Sequence, residues 1–103
     1  MLFMVNINVR LPAHWDQDKI DEIYSAEGAR SMELMNEGKL LRIWRIVGRR
    51  ANFGIWQADS LEGLHENIQS LPLFPQMDIE VTPIIKHPGA AAYEEKYGQL
   101  PQI

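Results

Sequence analysis

An α+β fold with the element order βαββαβ is predicted by three features of the 103-residue sequence. Four runs alternate with period 2, at Leu2–Arg10, Lys39–Val47, Ala51–Ala58 and Met77–Thr82. Two helical stripes separate the first run from the second and the third from the fourth. Pro12, Gly38, Gly48, Pro72 and Pro75 punctuate the joints. This order is the ferredoxin-like split βαβ arrangement, one four-stranded antiparallel sheet with two helices on one face.

In the first run Phe3, Val5, Ile7 and Val9 share one face, and Leu2, Met4, Asn6, Asn8 and Arg10 the other. Leu11-Pro12 ends it, because proline cannot donate to a ladder. A helix is expected from about Asp16, a suitable N-cap, to Glu37, with Gly38 as its stop. Its stripe holds Ile20, Ile23, Tyr24, Leu34 and Met35, and Glu27 falls near the middle. The second and third runs are close enough for a hairpin through Gly48-Arg49-Arg50. Asp59 or Ser60 caps a second helix with a stripe of Leu61, Leu64, Ile68 and Leu71. From Lys86 onward the chain reads as an arm without pattern. The expected organisation is one domain over residues 1–88 and a C-terminal arm over 89–103 that packs on a neighbouring subunit. Two helices cover only one sheet face, which leaves Leu2, Met4, Leu40 and Trp44 bare, so at least a dimer is expected.

Composition narrows the function. Hydrophobic residues make up 46% and charged residues 23%, an ordinary globular balance. The net charge of −4 argues against nucleic-acid binding. No cysteine is present, which removes disulfides, thiolate metal sites and cysteine nucleophiles and fits a cytoplasmic protein. No apolar run reaches the ~20 residues of a membrane span. His65-Glu66-Asn67-Ile68-Gln69 has glutamine where a zincin needs its second histidine, and no phosphate loop or dinucleotide fingerprint occurs.

Glu27 is the most informative residue. A carboxylate inside an apolar stripe is unusual, and such a group suits proton abstraction. Burial would raise its pKa and a nearby arginine would lower it, and the sequence leaves the sign open. Equally, Glu27 could pair with an arginine at a filled interface. Lys39, Arg42, Arg45, Arg49 and Arg50 form a local positive field suited to a carboxylate or a developing enolate, or to solvated ion pairs. Arg42 and Arg45 fall on opposite strand faces. Asn52, beside Gly54, can present an amide to a ligand. Trp44 and Trp56 read as core or cavity wall.

Several blocks together resemble the muconolactone Δ-isomerase family. They are Met1-Leu2-Phe3, Leu11-Pro12, Glu37-Gly38, Leu41 to Gly48, Ala51-Asn52, Leu71-Pro72-Leu73-Phe74-Pro75, Met77 to Val81 and His87-Pro88. The resemblance implies a dimeric α+β barrel assembled into a ring-like decamer. It also implies a cofactor-free isomerase that shifts a C=C bond in an unsaturated lactone by a 1,3-proton transfer during aromatic-compound breakdown. The family's base matches Glu27 and its active-site asparagine matches Asn52. The chain departs from the family pattern at Arg50, where tyrosine is common, at Gly54, where a small polar residue is common, and at Gly28 and Leu40. Arg50, Gly54 and Arg45 are carried forward as substrate-binding candidates. The rival expectations are the same barrel acting on another lactone or eliminating halide, a cofactor-free oxygenase, and a non-catalytic binding or assembly module. The surroundings of Glu27 discriminate: a pocket favours an enzyme, an ion pair a module.

Overall fold

β1 (Leu2–Val9) runs through the interior of a four-stranded antiparallel sheet of order β2-β3-β1-β4, with β2 at Leu40–Arg45, β3 at Ala51–Gln57 and β4 at Met77–Ile84. The structure, a computed structural model, describes residues 1–101, so residues 102 and 103 of the expected arm lie outside the described residues. The alternation read in β1 is real: Phe3, Val5 and Ile7 are buried against the helices and Leu2, Met4, Asn6 and Asn8 face the other way. Each such side chain contributes about 1.5–3 kcal/mol by leaving water. The register places Trp56, Gly54 and Asn52 of β3 beside Phe3, Val5 and Ile7, on the same face. β4 is an edge strand, which is why it tolerates Pro83 and runs two residues beyond the expected Thr82.

α1 (Gln17–Asn36) starts where expected, with the Asp16 carboxylate accepting from the Lys19 N–H at 2.8 Å. Gly38, at φ +73°, turns the chain out of the helix in a conformation that favours glycine. Leu34 is fully buried, and its truncation to Ala would cost about 2–5 kcal/mol. Met35 sits on the flank of the stripe and is largely exposed. α2 (Leu61–Gln69) is capped by Ser60, whose hydroxyl accepts from the Gly63 N–H at 3.0 Å, and buries Leu64 and Ile68. Leu61, expected on its stripe, is exposed, because it stands in the first turn at the edge of the core.

Two expectations are corrected. Leu40 is in the core rather than on the open face, at 2% exposure. A register irregularity between Leu40 and Arg42 breaks strict alternation, so Leu40 pairs with Trp56 while Arg42 and Trp44 face the open side. The segment after Lys86 has a pattern after all: Pro88–Tyr97 form a helix, α3. His87 Nδ1 accepts from the Gly89 N–H at 2.9 Å, Pro88 occupies the first turn, and Gly98 at φ +90° ends it. α3 buries no residue, so amphipathic packing gave no signal there.

Candidate active site

Between α1 and the helix side of the sheet lies a cavity of about 200 Å³. α1 contributes Tyr24, Glu27, Gly28 and Ser31; the strands contribute Arg45, Asn52 and Trp56 among others; Leu71 and Leu73 close it from the connection after α2. That connection is held in place. Arg30 of α1 donates from Nε to the Ser70 hydroxyl at 2.9 Å, and the Gln76 carbonyl accepts from the Arg10 N–H at 2.8 Å. The result is that the Leu73 N–H, in a buried residue, donates to Glu27 Oε1 at 2.8 Å. Oε2 has no hydrogen-bond partner among the described residues. Glu27 makes no salt bridge among them either, so the filled, ion-paired interface is not what surrounds it.

Burial raises the Glu27 pKa above the ordinary carboxylate value, and the Leu73 N–H opposes this less strongly by favouring the charged form. The arginine expected to lower it is not among the causes. Among the described residues three buried side-chain polar atoms have no partner: the Tyr24 hydroxyl, Asn52 Oδ1 and Trp56 Nε1. All three belong to residues lining this one cavity. Unpaired buried polar atoms are rare, and these three gather around one half-buried carboxyl.

A family model described as muconolactone delta-isomerase matches residues 1–90. The chain belongs to the muconolactone Δ-isomerase family. The muconolactone Δ-isomerase of Acinetobacter baylyi is 43% identical over 90 residues, which cover 87% of this chain and 94% of that one. That of Rhodococcus opacus is 44% identical over 86 residues, covering 84% and 92%. A solved muconolactone isomerase superposes with a TM-score of 0.79 at 40% identity, over 85% of this chain and 92% of that one. A 5-chloro-2-hydroxyhydroquinone dehydrochlorinase from Burkholderia phenoliruptrix shares the fold, with a TM-score of 0.65 at 20% identity over 84% and 96%.

Of the candidates named from the sequence of this family member, Glu27, Asn52 and Arg45 are brought together around the cavity. Arg50 and Gly54 are not part of its lining. The Arg50 guanidinium lies over the Tyr24 ring, 5.2 Å from its centroid. Gly54 lies beneath Trp56: a Cβ built there would stand 3.0 Å from Trp56 Nε1. Tyr24 belongs to the apolar stripe of α1 and so gives no signal as polar lining, and Ser31, on the same face of the helix, is not among the residues singled out from the sequence. Nor is the Leu73 N–H, for which a side-chain pattern carries no signal.

Proposed function

We propose that this protein is a cofactor-independent isomerase that moves a C=C bond of muconolactone by a 1,3-proton shift in the breakdown of aromatic compounds. The observation that carries the reading is the cavity itself: a carboxyl with raised pKa, bonded on one oxygen and, among the described residues, free of ion pairs and surrounded by unpartnered polar atoms. At about 200 Å³ it is smaller than the ~300–1,000 Å³ of pockets for drug-sized ligands, which suits a small lactone.

Glu27 is ionised in the resting enzyme. It takes a proton from the ring carbon conjugated through the double bond to the lactone carbonyl. The released electron pair moves towards that carbonyl and gives a dienolate. Glu27, now neutral, returns the proton to the ring carbon next to the carbonyl, two atoms from where it was taken, so the double bond moves one position and one carboxyl serves as base and then acid. Burial strengthens the base by raising its affinity for a proton. The Leu73 N–H fixes Oε1 and leaves Oε2 to carry the proton. The Asn52 amide meets a substrate oxygen, and Arg45 attracts the substrate carboxylate.

Assembly follows from the opposite sheet face. Leu2, Met4, Trp44, Phe53 and Ile55 stand there only half-buried, and a second copy of the chain covers them in a dimer from which a larger ring is built. α3 and the residues after it form the arm that packs on a neighbour. No helix of the described residues is long and apolar enough to cross a membrane, and the enzyme is read as cytoplasmic.

Incubation with muconolactone, followed by loss of conjugated absorbance and by NMR of the product, tests the reading beside a panel of other unsaturated lactones. Muconolactone is expected to give the highest kcat/KM, at least ~10⁴ M⁻¹s⁻¹. No conversion above buffer would overturn the proposal.

A further inference from the structure

Two cavity residues carry donors that the reaction as described does not use. Trp56 is 1% exposed and, among the described residues, its indole Nε1 meets no acceptor and the buried Tyr24 hydroxyl has no partner. Both residues line the cavity that holds Glu27. An indole N–H can only donate, so whatever satisfies it brings an acceptor. Packing alone does not call for it, since a phenylalanine fills apolar space without leaving an unpaired donor.

The neighbours of these two residues show how each is set. Gly54 precedes Trp56 by two residues on the same face of β3. A Cβ at position 54 would stand 3.0 Å from Trp56 Nε1, 3.4 Å from Leu40 Cδ1 and 3.4 Å from the Arg42 carbonyl oxygen. Gly54 has no positive φ, so what its missing side chain supplies is room for the nitrogen edge of the indole. On the other residue, the exposed Arg50 places its guanidinium 5.2 Å from the Tyr24 ring centroid, a cation–π contact on the face of the ring.

We propose that Trp56 and Tyr24 are substrate-binding residues whose N–H and O–H donate to the lactone oxygen on which negative charge develops, with Gly54 and Arg50 as their positioning residues. This rests on the isomerase reading and adds to it. The chemistry favours neutral donors here. A cation paired with Glu27 would weaken it as a base; Arg45, the cation on the lining, makes no salt bridge with it among the described residues, and an indole N–H and a phenol stabilise a dienolate oxygen while leaving the carboxylate free. The departures at positions 50 and 54 thus act through a neighbour rather than by touching substrate.

The test combines steady-state kinetics on muconolactone with calorimetric binding of its saturated analogue, which cannot isomerise. Trp56→Phe and Tyr24→Phe are each expected to lower kcat by ~10–100-fold, with a smaller loss of affinity for the saturated lactone, because the dienolate oxygen holds more charge than the ground-state carbonyl. Gly54→Ala should lower kcat in the wild-type background and by less than ~2-fold in Trp56→Phe, where no Nε1 remains to be displaced. Arg50→Gln should behave the same way towards Tyr24→Phe. Circular dichroism checks that each variant is folded; should Trp56→Phe not fold, the Tyr24 and Arg50 pair decides. Wild-type kcat in both phenylalanine variants overturns the donor assignment alone. Equal losses from Gly54→Ala and Arg50→Gln in both backgrounds overturn their positioning roles. A wild-type protein that neither binds nor converts the lactone overturns the isomerase reading, and this proposal with it.

Discussion

On its helix side the sheet presents Phe3, Val5 and Ile7 with Trp56 and Asn52; on its open side it presents Met4, Trp44, Phe53 and Ile55. Both sides are apolar enough to need a cover. The three side-chain polar atoms buried without a partner all belong to the helix side, around a raised carboxyl. The open side is half-buried, and among the described residues none of the buried unpartnered atoms belongs to it. Hydrophobicity marks where the sheet packs on its own helices and where the proposed second copy would cover it, while the unsatisfied polarity gathers around Glu27, the proposed base.

The largest expected effect separates the two sides at once. Glu27→Gln keeps the shape and an acceptor for the Leu73 N–H but removes the base, and kcat should fall ~10²–10⁴-fold with the assembly unchanged. Phe53→Asp does the converse: a charge in the middle of the open face should convert the oligomer to monomer at micromolar concentration by light scattering. If Phe53→Asp leaves the mass unchanged, the open face is not the interface. A smaller effect is expected of Arg45→Met, which should raise KM for a carboxylate-bearing lactone ~10-fold with kcat nearly constant. A substrate without the carboxylate should show no such difference.

The smallest effect concerns stability. A raised pKa means that folding favours the neutral Glu27 carboxyl. The native state then binds more protons than the unfolded one between the ordinary glutamate value and the raised one, so stability falls as pH rises through that window. Glu27→Gln should match the wild type in acid and exceed it at neutral pH. The gain in Tm should be no more than about 5 °C, since the carboxyl is partly hydrated. A Tm difference independent of pH would mean that Glu27 is not under strain from burial.

The comparison also explains what could be read in advance. β1 and α1 were legible because alternation, the Asp16 cap and Gly38 all agree. Leu40 was not, because a bulge resets alternation without any residue type that announces it. α3 was missed although Pro88, the Ala90–Ala92 run and Gly98 are helix signals, because it has no apolar stripe. Within the site, Glu27 was visible as a charge in an apolar pattern. Tyr24 and Trp56 were invisible as polar groups, since an aromatic ring satisfies a hydrophobic pattern whether or not its N–H or O–H finds a partner. That is a tertiary fact, as is the backbone donor at Leu73.

Proton transfer by ionised Glu27 in this cavity, as proposed, has a direct readout. It is tested most directly by measuring the pH dependence of kcat/KM beside an NMR titration of the Glu27 side-chain carboxyl. The carboxyl is expected to titrate above the ordinary value of 4.5, with activity lost as pH falls through that same midpoint. A rate that stays constant while Glu27 takes up its proton would contradict it.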